Sequence, residues 1–116
     1  MSIRKRTACF AAIAAGLVMA LGAVPALAGS CFEDVGCPAD HIIPKWQLRQ
    51  LSCDALWTVR NSIYHDNGYC FKTRKAKQVW SNQGCTYWDA GDVPLNNYES
   101  ANISRIKSVE QQKGCL

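Results

Sequence analysis

Six cysteines, Cys31, Cys37, Cys53, Cys70, Cys85 and Cys115, are spread over most of the chain after its first 28 residues. Only the seventh, Cys9, precedes them. An even number of cysteines in a short exported chain reads as a disulfide framework. Zinc is the competing use. No C-x-x-C pair occurs, and only His41 and His65 could join the thiolates, so no metal and no cofactor is expected.

Export is read from the N-terminus. Arg4-Lys5-Arg6 form a basic start, residues 8–24 are almost wholly apolar, and Pro25-Ala26-Leu27-Ala28 supplies an A-x-A site. Residues 1–28 therefore read as a signal peptide cleaved before Gly29. The apolar run is at the short limit for a membrane span and contains Gly16, Gly22 and Pro25, so no transmembrane anchor is expected after cleavage. Leu27 stands four residues before Cys31, one too far for a lipoprotein signal, so no lipid anchor is expected. The expected destination is the periplasm or the medium.

Cleavage leaves 88 residues, one domain, with ten Lys and Arg against nine Asp and Glu. The net charge falls from +4 to +1, which removes most of the support for a nucleic-acid partner. A domain this small buries a modest core, and disulfides make up the shortfall.

Residues 29–50 lack periodicity and contain Gly36, Pro38 and Pro44, so an irregular N-terminal segment is expected before a helical domain over 51–116. Ser52 can cap a first helix that stops at Asn67-Gly68, with Asp54 in its first turn and Leu56, Ile63 and either Trp57 or Tyr64 on one apolar face. Thr73 can cap a shorter helix in which Ala76, Val79 and Trp80 share a face. Asn96 and Glu99 have capping-box spacing at the head of a third helix, ended by Gly114, whose inner face is read as Tyr98, Ala101, Ile106 and Val109. The expected fold is mainly α: a small three-helix, disulfide-stapled domain around an aromatic-rich core. Among the pairings that six cysteines allow, Cys31–Cys37, Cys70–Cys85 and Cys53–Cys115 suit this order of elements best.

His65-Asp66 is the most suggestive chemical pair, since imidazole oriented by a carboxylate is a common acid–base device. Adjacent helical residues point about 100° apart, so the two are read as a solvent-facing helix end rather than a catalytic pair. As surface positions they should together be worth no more than about 1 kcal/mol. No catalytic residue is assigned. Lys72, Arg74, Lys75 and Lys77 crowd the second helix; a solvated outer face explains them, and a docking face for acidic glycans, phospholipid heads or a protein is the alternative. Trp88, in a loop beside Asp89, is either folded over the core or exposed to stack on a sugar.

The string from Leu56 to Thr73 resembles the YARHG domain, a small exported bacterial module. The resemblance covers roughly residues 51–115 and is carried by Leu56, Trp57, Arg60, Asn61, Ile63, Tyr64, Gly68, Tyr69, Phe71, Lys72 and Thr73. Asp92-Val93-Pro94-Leu95, Asn102, Ile106 and Glu110 before Gly114-Cys115 fit the closing helix. The eponymous Tyr-Ala-Arg-His-Gly stands here as Tyr64-His65-Asp66-Asn67-Gly68. Of these residues Trp57, Arg60, Asn61, Tyr64, Gly68, Tyr69 and Phe71 are expected to be structural. The resemblance implies no particular activity. The chain reads as a non-enzymatic binding or structural module of the envelope with an unknown partner there; a small cell-wall glycan hydrolase or hydrolase inhibitor is the alternative.

Overall fold

A computed structural model describes residues 29–116. The segment read as a signal peptide lies outside the described residues. Among the described residues four α-helices follow one another: α1 (Lys45–Leu48), α2 (Cys53–Asp66), α3 (Arg74–Val79) and α4 (Asn97–Gln112), with a 3-10 turn at Ala90–Asp92 between the last two. The mainly α, disulfide-stapled domain is the one expected. The single helical turn α1 lies in the segment read as irregular; Pro44 opens it in extended conformation, and Leu48 is its buried residue.

Local chemistry sets the helix ends. Ser52 Oγ accepts from the Ala55 amide at 3.1 Å, and Thr73 Oγ1 from the Ala76 amide at 3.2 Å. Asn96 and Glu99 close a reciprocal capping box, Asn96 Oδ1 accepting from the Glu99 amide and Glu99 Oε1 from the Asn96 amide. Helices α2 and α4 end alike. Gly68 at φ +91° lets its own amide reach the His65 carbonyl and the Tyr69 amide reach the Tyr64 carbonyl. Gly114 at φ +76° does the same with Gln111 and, through the Cys115 amide, Glu110. Both are paired terminal bonds that satisfy carbonyls a helix otherwise leaves open.

The core is aliphatic. Val35, Ile43, Leu48, Leu51, Leu56, Val59, Ile63, Ile103, Ile106 and Val109 form one buried cluster where α2 and α1 pack on α4. This corrects the aromatic-rich core read from the sequence: Phe71 is the one aromatic residue buried among the described residues, and Trp46, Trp88 and Tyr98 are exposed. It also shifts the inner face of α4. Tyr98 is 46% exposed, and the buried face runs through Glu99, Asn102, Ile103, Ile106, Val109 and Glu110. On α3 only Ala76 is buried; Val79 is 56% exposed, because the helix ends there and the chain turns extended at Trp80.

The three polar residues on the inner face of α4 are tied by hydrogen bonds that compensate their burial. Glu110, 1% exposed, takes a two-pronged bond from Arg60 of α2, Nε to Oε1 at 2.7 Å and the second nitrogen to Oε2 at 3.0 Å. Asn102, wholly buried, accepts from the Ile43 amide and donates to the Pro38 and His41 carbonyls, clasping the N-terminal segment. Glu99 Oε2 accepts from Asn67 Nδ2 at the end of α2.

Three disulfides close Cys31–Cys37, Cys53–Cys115 and Cys70–Cys85, the pairing chosen from the order of elements. The chain-entropy model assigns about 4 kcal/mol to the 53–115 bridge and about 3 to the 70–85 bridge. Cys53 opens α2 and Cys115 follows α4, so the longest loop joins the two helices that Arg60 and Glu110 also join.

The two terminal glycines differ in surroundings. A Cβ on Gly114 meets nothing within 4 Å, whereas one on Gly68 meets the Tyr87 ring at 3.3 Å. Gly114→Ala should therefore cost about 1 kcal/mol from backbone strain alone, and Gly68→Ala about 2 or more. Urea denaturation of the oxidised variants measures both; equal losses would contradict the role given to Tyr87.

Candidate functional site

Chain reversal at Gly68 brings residues 69–71 back beside residues 85–87. Gly68 O accepts from the Thr86 and Tyr87 amides, the Cys70 amide donates to Tyr87 O at 2.7 Å, and Tyr69 and Tyr87 form a parallel bridge. Asn82 holds both backbone groups of Phe71, accepting from its amide at 2.8 Å and donating to its carbonyl at 2.9 Å. With the 70–85 disulfide, these contacts make a closed lobe that carries α3.

The lobe is seated on α2 by rings. Tyr64 meets Tyr69 (5.5 Å between centroids), Tyr69 meets Phe71 edge-on (5.0 Å), Phe71 stacks on Trp80 (5.3 Å), and Trp80 lies 5.4 Å from Trp57. Lys75 caps the series, its ammonium 4.1 Å over Trp57 and 3.5 Å from the exposed Asp54 carboxylate. Each aromatic pair contributes about 0.5–1.5 kcal/mol beyond its burial. The buried Phe71 and the half-buried rings around it thus act as a second, smaller packing centre beside the aliphatic core.

His65 belongs to this stack, its ring 6.4 Å from Phe71 and 6.2 Å from Trp80. Asp66 faces elsewhere: Oδ2 accepts from the Ser30 amide at 2.6 Å and Oδ1 from the Ser30 hydroxyl at 3.1 Å. The expectation that the two neighbours diverge needs correction, since His65 Nδ1 and Asp66 Oδ1 approach to 3.7 Å. That is ion-pair range but too long for the hydrogen bond by which a carboxylate orients a catalytic imidazole. Both side chains also have more contacts to lose than the surface reading assumes.

The remaining residues singled out in the sequence separate into two groups. Asn61 is buried, its side chain donating to the Trp57 carbonyl, and Arg60 is held by Glu110, so these two polar side chains of the family motif are engaged within the domain. Lys72, Arg74, Lys75 and Lys77 are all exposed on the lobe. Trp88, directly after the bridge at Tyr87, is 59% exposed. An apolar cavity of about 180 Å³ lies between the N-terminal loop and α2, lined by Phe32, Val35, Leu51, Ala55 and Val59 with Asp34 and Thr58, and an open polar groove runs along α1 and α4 at Lys45, Ser104, Arg105 and Ser108. Neither includes His65, Asp66 or Trp88. Among the described residues no three His, Cys, Asp or Glu side chains are grouped to hold a metal, and no helix is long and apolar enough to cross a membrane. The clasps made by Asp66, Asn82, Glu99 and Asn102 carry no local sequence signal, because each partner is set by the tertiary fold.

Asp66→Ala should free the N-terminal segment at Ser30. Amide exchange at Ser30 should lose its protection while α2 keeps its own, with a stability loss of about 1 kcal/mol for a partly exposed charged acceptor. Unchanged protection at Ser30 would contradict the clasp.

Searches of curated proteins and of solved structures return no match. The YARHG domain family model matches residues 39–111, a span that takes in α1, Asn102 with its partners Ile43 and His41, the aromatic stack and the Arg60–Glu110 pair. Matched over more than half its length, this chain belongs to the YARHG domain family.

Proposed function

We propose that this protein is an exported, non-enzymatic module that binds or shields a component of the bacterial envelope. One observation carries the reading: the motif side chains best suited to chemistry are engaged inside the domain, Arg60 with Glu110 and Asn61 with Trp57, while His65 and Asp66 stand 3.7 Å apart. The four lobe cations and the Trp88 indole, which reach the surface, suit contact rather than bond-making. Three disulfides fit an oxidising compartment, and the basic start, apolar run and A-x-A site of residues 1–28 fit delivery there with cleavage before Gly29 and no lipid on Cys31.

The exposure of Trp88 also favours a second reading, a small hydrolase of cell-wall glycan or an inhibitor of one, because an exposed indole can stack on a sugar ring. The oxidised protein recovered after export is incubated with purified cell-wall glycan and with envelope extract. The binding-module reading expects retention by an envelope fraction and no release of soluble saccharide. Release of saccharide, abolished in a folded His65→Ala variant, would overturn it in favour of the hydrolase. Intact mass of the same preparation should begin at Gly29; a mass retaining residues 1–28, or acyl chains on Cys31, would overturn the export reading.

A further inference from the structure

Charge is segregated along the chain. Residues 67–88 contain Lys72, Arg74, Lys75 and Lys77 and no acidic residue, whereas residues 29–44 contain Glu33, Asp34 and Asp40 and no Lys or Arg. The four cations sit on the lobe closed by the 70–85 disulfide and by Asn82. Lys75 is engaged with Asp54 and Trp57. Among the described residues, Lys72, Arg74 and Lys77 have no acidic partner within ion-pair distance. Helix α3 has six residues and so a length of about 9 Å, close to the screening length at physiological salt of about 8 Å. The three uncompensated charges therefore act together on an approaching anionic surface.

Val79 adds an apolar group to this charged lobe. Left outside the core where the helix ends, its side chain is 56% exposed on the same short helix as Arg74 and Lys77. The rings beside the cations are employed in packing: Phe71, Trp80 and Trp57 stack on one another, and Lys75 covers a face of Trp57, while the exposed Trp88 lies outside residues 70–85. Cations that reach headgroup phosphates, beside an aliphatic side chain free to enter the acyl boundary, are the elements of interfacial attachment to a bilayer.

We propose that the disulfide-closed lobe of residues 70–85 docks the domain on an anionic phospholipid surface through Lys72, Arg74, Lys77 and Val79. The inference rests on the reading of an envelope-binding module and names its ligand class. Each cation near such a surface is worth about fivefold in partitioning, the equivalent of about 1 kcal/mol. Three give about a hundredfold, a reversible attachment that salt weakens.

The oxidised, exported protein is sedimented with vesicles of phosphatidylcholine containing phosphatidylglycerol, with pure phosphatidylcholine vesicles, and with a soluble acidic polysaccharide as competitor. Binding is expected on the anionic vesicles only, and raised salt should reverse it. The triple variant K72Q/R74Q/K77Q should lose about a hundredfold, Val79→Ser should lose severalfold, and R49Q/R105Q/K107Q, which removes the same net charge elsewhere, should bind within a fewfold of wild type. Circular dichroism confirms that each variant is folded. Equal loss in the two triple variants would reduce the effect to net charge and overturn the site. Displacement by the polysaccharide at matched ionic strength, or no vesicle binding at all, would overturn the lipid assignment. Retention by another envelope fraction in that case would leave the binding-module reading standing, so the two failures are distinguishable.

Discussion

The fork between Arg60 and Glu110 sets how the two long helices meet. Glu110 is buried, so its carboxylate costs several kcal/mol to desolvate and is tolerable only with a partner that matches both oxygens. Arg60 does so with two parallel bonds, a geometry that lysine cannot reproduce. A register slip of one residue would remove the guanidinium and leave the acid orphaned. The same residue organises the end of α4, since the Glu110 carbonyl accepts from the Cys115 amide and so helps bring that cysteine to Cys53 at the head of α2. Ion pair, glycine terminus and disulfide therefore enforce one arrangement of α2 against α4.

Everything else hangs on that frame. Asn102 gathers the N-terminal segment to α4, and Asp66 pins its far end at Ser30. The reversal at Gly68 and the ring series from Tyr64 to Trp57 seat the 70–85 lobe on α2. Several residues of the family motif hold this frame together. Arg60 joins α2 to α4, Asn61 bonds the Trp57 carbonyl within α2, the aromatic residues mount the lobe, and Gly68 makes the reversal. The lobe cations, Val79 and Trp88 are presented outward.

What was legible in the sequence follows the range of the interactions involved. Helix ends were legible because Ser52, Thr73, Asn96, Gly68 and Gly114 act within a few residues of themselves. The inner face of α4 was legible only at Ile106 and Val109, because Glu99, Asn102 and Glu110 look like surface residues until their partners are known, and Tyr98 attracts the apolar reading to the wrong side. Val79 misled for the opposite reason: spacing on α3 put it inward, but the helix has too few turns to follow its own periodicity into the core. Asp66 looked like half of a catalytic pair or an idle surface charge. Its function depends on Ser30, 36 residues away, which no local pattern announces.

A double-mutant cycle on Arg60 and Glu110 tests most directly whether a buried ion pair governs the packing of α2 on α4. Unfolding free energies of the oxidised protein are measured for Arg60→Met, Glu110→Leu and the double variant. Arg60→Met should lose about 3 kcal/mol or more, because it strands a buried carboxylate, while the double variant should recover most of that loss. The coupling energy should then exceed about 2 kcal/mol. Losses that simply add, with Arg60→Met costing no more than a surface substitution, would contradict the account.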